Sequence, residues 1–208
     1  MISAISLMRQ RDDVTQAMFR RHWLDVHGPL VCGFPALRRY VQHHVIASPA
    51  MNARARDMRI DGFPILWFDS DADRRRAHLS PAMAACNVDS RSFIGAVSRV
   101  ICEPRLAMPQ ADDAARMTLI AVLPGEAADD AALDRYAASV QGLAGLCGLV
   151  LYRVLQQGPA PNSTIPHLPV STAGIVELAF PSLVDLECAA EADIMDAAHF
   201  VVEAHRLA

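Results

Sequence analysis

A chain of 208 residues, 52% of them hydrophobic and 20% charged, has enough apolar mass to bury a core and suits one large domain or two of roughly 100 residues, which excludes disorder. Its 19 basic and 23 acidic residues give a formal net charge of −4, leaving no positive field to grip a phosphate backbone, so no nucleic-acid partner is expected. Arg20-Arg21, Arg38-Arg39 and Arg74-Arg75-Arg76 read as solvated faces or strand edges. The opening stretch, residues 1–7, lacks a basic leader region and is interrupted by Arg9-Gln10-Arg11-Asp12-Asp13, which predicts a cytoplasmic protein without a membrane partner. The cysteines, Cys32, Cys86, Cys102, Cys147 and Cys188, form no C-x-x-C pair and read as small apolar core residues.

In chain order, residues 2–8 alternate as a strand, and a helical pattern over 13–26 follows, capped by Asp12 or Asp13. Phe19, His22, Trp23 and Val26 share its buried stripe, and Gly28-Pro29 ends it. Residues 37–46 read as a strand with Tyr40, Gln42 and His44 on one side, and 61–69 as a more apolar strand. A second helix over 72–85 and a strand over 93–102 complete a β-α-β-β-α-β order, the ferredoxin-like arrangement.

The same order recurs from Met117 to Leu207. Gly33, Tyr40, Gly62, Leu66, Phe68, Ser70 and Asp73 meet Gly145, Tyr152, Gly174, Leu178, Phe180, Ser182 and Asp185 at one offset of 112 residues. The helix over 130–140 has Leu133, Tyr136 and Val140 at core spacing but no histidine, and the offset puts Val154 and Gln156 where Gln42 and His44 stand. A four-stranded antiparallel sheet with helices on one face must bury its other face, and a second sheet is the obvious cover. The expected fold is therefore α+β: two ferredoxin-like β-α-β-β-α-β repeats, residues 1–106 and 117–208, joined by a linker at 107–116 and packed sheet to sheet as an intramolecular α+β barrel. This internal pseudo-dimer carries its site in the first repeat, and further homo-oligomerisation is left open.

The run Phe19-Arg20-Arg21-His22-Trp23-Leu24-Asp25-Val26-His27-Gly28-Pro29-Leu30, then Pro35-Ala36-Leu37-Arg38-Arg39-Tyr40 and Asp61-Gly62-Phe63-Pro64-Ile65-Leu66-Trp67-Phe68, resembles the EthD family of the dimeric α+β barrel superfamily. The resemblance covers roughly residues 1–106 and implies a small catabolic protein in a superfamily whose members isomerise lactones, cyclise polyketides, oxygenate without a cofactor or bind haem. A shared fold does not fix a reaction.

His27, read at a helix C-terminus, is a candidate proton donor or oxyanion partner, or else a capping group that ties down the next loop. Tyr40, Gln42 and His44 form a polar row that would face the barrel interior and hold a carbonyl or hydroxyl; His43 points the other way, under a helix or into solvent. His22 on the apolar stripe, and Trp67 beside Phe63 and Ile65, are core residues or pocket walls. No histidine set has metal-ligand spacing, and no phosphate or dinucleotide loop is present, so no cofactor or metal is expected. Two readings follow. One is a cofactor-independent isomerase or lyase moving a proton on a small cyclic or aromatic carbonyl compound, with His27 and His44 exchanging it and Tyr40 or Gln42, with Trp67 and His22, contacting the substrate. The other is a binding or accessory protein holding an apolar ligand, haem included, without turnover.

Overall fold

The computed structural model describes residues 1–108, 117–159, 163–190 and 196–208. The elements run β1 (Ile2–Gln10), α1 (Gln16–His22), a π-helical turn (Trp23–His27), α2 (Gly28–Cys32), β2 (Arg39–Val45), α3 (Ala53–Met58), β3 (Gly62–Phe68), α4 (Asp71–His78), α5 (Pro81–Ser90) and β4 (Ile94–Met108). After residues 109–116 come β5 (Met117–Pro124), α6 (Asp130–Val140), β6 (Gly148–Gly158), β7 (Thr172–Phe180), α7 (Leu183–Ala190) and β8 (Ala198–Arg206).

The strands form one closed antiparallel barrel in the order β1-β3-β2-β8-β5-β7-β6-β4. The two sheets close by pairing their edges as well as by covering each other. β4 does this by length: its first part pairs with β1 up to Cys102, and from Arg99 to Met108 it pairs with β6. β8 likewise pairs with β5 over Ala198–Val202 and with β2 over Val202–Arg206. Closure leaves no free strand edge to template aggregation. The expected end of β4 at Cys102 is thus corrected, because Glu103–Met108 pairs across the seam; the remaining linker residues, 109–116, lie outside the described residues.

The barrel interior is identified by one apolar cluster to which all eight strands contribute, among them Ile5, Val41, Ile65, Val100, Ile120, Tyr152, Ile175 and Phe200. It also holds a polar group. The Tyr152 hydroxyl donates to Glu177 Oε2 at 2.6 Å, His43 Nε2 lies 3.5 Å from Glu177 Oε1, and the Arg39 guanidinium covers Trp67 at 4.7 Å. His43 therefore points into the barrel, neither under a helix nor into solvent as expected, with Glu177 at ion-pair distance and Nδ1 3.2 Å from the Phe63 carbonyl oxygen. Residues that alternate with this set face the helices: α1, α2, α4 and α5 cover the first four strands, α6 and α7 the last four.

The offset of 112 holds in part. Ser70 and Ser182 each cap the following helix by accepting from the backbone N–H of Asp73 and Asp185, both at 3.2 Å. Gly62 lies under Trp23 and Gly174 under Leu133, each leaving no room for a side chain. β6, however, is slipped by three residues: Leu66 faces Tyr40, whereas Leu178 faces Leu149. An odd slip exchanges the two faces of a strand, so Tyr152 points into the barrel while Tyr40 points to the helices. The counterparts of Gln42 and His44 are Leu151 and Arg153, not Val154 and Gln156.

A Cβ on Gly62 would stand 2.3 Å from the Trp23 ring, whereas one on Gly142 would meet nothing within 4 Å. Gly62→Ala is expected to cost about 1–3 kcal/mol by overpacking, and Gly142→Ala close to nothing. Urea denaturation midpoints of the two variants check this.

Candidate active site

The segment that places the site is a continuous helical rod from α1 through α2. Thr15, not Asp12 or Asp13, caps it, its hydroxyl accepting from Met18 N–H. Pro29 has no N–H with which to complete the i→i−4 bond to Asp25. The rod absorbs the missing donor by widening over Trp23–His27, where Gly28 N–H reaches back five residues to the Trp23 carbonyl. Gln42 Nε2 donates to that same carbonyl at 2.8 Å. A side chain on Gly28 would come within 2.9 Å of Gln42 Nε2 and 2.8 Å of Leu207, so glycine is required for this approach. The Gly28-Pro29 pair therefore does not end the helix, and His27 stands inside the rod rather than at a C-terminus. The expected helix-dipole effect on its ring is withdrawn.

His27 is instead set by Asp89, at the end of α5. The carboxylate bridges two rings: Oδ2 lies 2.8 Å from His27 Nδ1 and Oδ1 lies 2.9 Å from His22 Nε2. With Nδ1–H donated to Asp89, the free ring nitrogen of neutral His27 is Nε2, for which the described residues supply no hydrogen bond. The ring is buried and packs edge-on against Phe93 at 5.1 Å. Burial pushes its pKa below the usual histidine value, outweighing the upward pull of Asp89.

His27 lines a cavity of about 110 Å³ between the outer face of the first sheet and its helices. The floor comes from Ser6, Met8, Tyr40 and Leu66, and the roof from Trp23, Met83 and Ser90. Ser163 and Ile165, in the connection between β6 and β7, close one side. That connection is laid along β4 by Val97 N–H to the Pro166 carbonyl at 2.9 Å and Leu168 N–H to the Val97 carbonyl at 3.0 Å.

The polar row is real but faces this helix layer, correcting the expected barrel-interior orientation; β2 directs its even-numbered side chains outward because Val41 and Val45 supply the barrel core. Its members are linked in series. His44 Nε2 contacts Gln42 Oε1 at 2.8 Å, Gln42 Nε2 donates to the Tyr40 hydroxyl oxygen at 2.9 Å, and Trp23 Nε1–H donates to the same oxygen at 3.1 Å. Burial pushes the Tyr40 phenol well up, so it stays protonated. Tyr40 lines the cavity and His44 does not: the His44 ring stacks on the far face of the row, 4.2 Å from the Trp23 ring, beside a surface depression formed with Arg20, Glu203 and His205. The expected proton exchange between His27 and His44 is therefore withdrawn. Trp67 is also separate, since it points into the barrel against Arg39 and Tyr152. His22 stands behind Asp89 rather than in the cavity wall.

The sequence reading missed Asp89, which is 62 residues from His27 and carries no local motif. It also missed Arg74, His78 and Arg99 in the cavity wall. Among the described residues, no group of three or more histidine, cysteine or acidic side chains forms a metal site.

Buried histidines link this site to acid stability. Burial pushes His44 down to about 3 and His199 to about 4, and lowers His27. The unfolded chain takes up these protons near pH 6.5 but the folded chain only well below it, so stability is full above about pH 6.5 and falls toward pH 4. Urea midpoints should fall steadily over that window, and more shallowly in His44→Gln.

Residues 11–96 match the family model of the EthD domain. No functionally curated protein matches the sequence. Among solved structures, an anthrone oxidase-like protein superposes with a TM-score of 0.62 at 8% identity, covering 99% of this chain and 93% of its own. A provisionally assigned monooxygenase from Fusobacterium nucleatum gives 0.58 at 5% identity over 98% and 91%. An EthD family protein from Bacillus halodurans is 22% identical over 50% of this chain and 97% of its own, with a TM-score of 0.42. At these identities the likeness is one of fold.

Proposed function

We propose that the chain, whose residues 11–96 match the EthD domain model, is a cofactor-independent proton-transfer enzyme, an isomerase or lyase acting on a small cyclic or aromatic carbonyl compound. The observation that carries this reading is the Asp89–His27 pair beside an apolar cavity, with Nε2 as the free nitrogen of a neutral ring. A base below the usual histidine value is unprotonated at neutral pH and ready to accept a proton. In the step, Nε2 takes a proton from the carbon next to the carbonyl, and the C–H electron pair moves into the new C=C bond. The carbonyl π pair moves onto oxygen as an enolate. Asp89 balances the imidazolium, and the same nitrogen returns the proton at a second carbon or as a leaving group departs.

Tyr40 suits the enolate. Its oxygen already accepts from Trp23 and Gln42, and the described residues offer its own proton no acceptor, so that proton is available to a ligand oxygen. This cavity suits a small apolar ligand rather than haem, because about 110 Å³ approaches the ~150 Å³ that admits a benzene ring and is far from a porphyrin.

The finer architecture belongs to the same proposal. Each half is read as a ferredoxin-like unit, 1–106 and 117–208, supported by the matching strand orders β4-β1-β3-β2 and β8-β5-β7-β6 and by the paired serine caps. The first unit keeps the site, since α6 presents Leu133 where the first half has Trp23.

Deuterium exchange from D2O into a panel of lactones and cyclic ketones, followed by NMR, tests the chemistry. His27→Ala should lower exchange by about 10²–10⁴-fold with the fold intact. The rate should be flat at neutral pH and fall on acidification below His27's depressed pKa. Unchanged exchange in His27→Ala would overturn the assignment.

A further inference from the structure

Three basic side chains in the cavity wall take no part in that proton transfer. Arg99, on β4, is partly buried, and among the described residues its one side-chain hydrogen bond is from Nη1 to His78 Nδ1 at 3.3 Å. An arginine only donates, so His78 is the acceptor at Nδ1. Arg74, on α4, is held to Asp71 Oδ1 through Nε alone, at 2.7 Å, which leaves its terminal amino groups without a hydrogen bond among the described residues. Arg74, His78 and Arg99 all line the cavity.

Arg99 has no carboxylate within ion-pair distance among the described residues, unlike Arg38, Arg105 and Arg153, which have one each at the surface. Burial and the neighbouring Arg74 push its pKa down to about 10, the direction expected of a cation short of counter-charge. Removing a guanidinium from water without an anionic partner is costly, and a second arginine beside it adds repulsion. A cavity ligand that supplies the missing charge removes both penalties, and a guanidinium fork matches the two oxygens of a carboxylate.

The remaining wall fixes the rest of the ligand. Met8, Leu66, Phe68, Phe34 and Ile165 are apolar, and the volume approaches that which takes one six-membered ring. Arg99 pairs with Ser6 in the middle of β1, whereas Trp23 packs over Gly62, the partner of Met8 further along that strand. The basic cluster and the His27 end thus stand at different points along the floor.

We propose that the cavity selects small cyclic or aromatic monocarboxylates, with Arg99 and Arg74 receiving the carboxylate and the ring lying in the apolar part toward His27. This rests on the cavity being the substrate site of the proposed enzyme, but not on turnover.

Benzoate and its neutral isostere benzamide, titrated calorimetrically against the full chain, test the assignment. Benzoate is expected to bind at least tenfold more tightly than benzamide and to raise Tm. Arg99→Met should lose about 10–100-fold in benzoate affinity with benzamide unchanged, the range for a charge-assisted pair. The same variant without ligand should keep or raise Tm, because an uncompensated cation has been removed, and Arg74→Met serves as the second probe. Benzoate binding is read on the unaltered chain without turnover, so a failed exchange assay and a failed anion site give different results. Equal binding of the two probes, absent benzoate binding, or unchanged benzoate affinity in both arginine variants would overturn the proposal.

Discussion

The Trp23 carbonyl accepts two donors that come from different parts of the fold. Gly28 N–H reaches it along the helix, and Gln42 Nε2 reaches it from the sheet. A carbonyl in a regular α-turn is used by the amide four residues on; here Pro29 lies next in line and Gly28 adds no Cβ, so the turn widens and the oxygen is open to β2. That shared acceptor ties the rod to the sheet at a fixed azimuth. It sets Trp23 over Gly62 and aims His27 at Asp89. It also orients the Gln42 amide, whose other contacts hold Tyr40 and His44. Buried hydrogen-bond chains of this kind specify one arrangement because each partner left unpaired in a low-dielectric layer costs more than the bond contributes.

The two polar groups of the molecule answer to different demands. Inside the barrel, Glu177 is capped by the Tyr152 hydroxyl and approached by His43; burial pushes its carboxyl up, and these contacts with Arg39 outweigh that and hold it below the usual range. It is a closed set surrounded by apolar side chains from every strand. Outside the barrel, the His22–Asp89–His27 group is paired on the helix side and unpaired on the cavity side. The first is held among apolar side chains and keeps one ring nitrogen of His43 without a hydrogen bond among the described residues, whereas the second is the group that the proposed proton transfer uses.

Much of the architecture was legible because it is written in local periodicity. The strands and the helix Asp130–Val140 follow from alternation and core spacing, and the correspondence of Ser70 with Ser182 from the shared offset. The rod through Gly28-Pro29 was not, since that pair normally terminates a helix and only the sheet-borne amide of Gln42 makes a widened turn worth keeping. The face of the Tyr40 row was lost for a related reason. Alternation gives which residues share a face but not which face is the barrel core when both are covered, and β2 is buried on both. His27 and Tyr40 could be read together because they lie near one motif; Asp89 and Arg99 could not, because they reach the cavity from α5 and β4 through tertiary contact alone.

Arg99 is the residue at which β4 begins to pair with β6 while still paired with β1, lying opposite Ser6 on one side and Gly158 on the other. The seam that closes the barrel and the cation that faces the cavity are thus one position in the chain. On the proposed reading, an anion bound at that guanidinium stabilises the folded chain, seam included, by mass action. Occupancy of a pocket built on one sheet is in this way sensed as cohesion of the whole barrel.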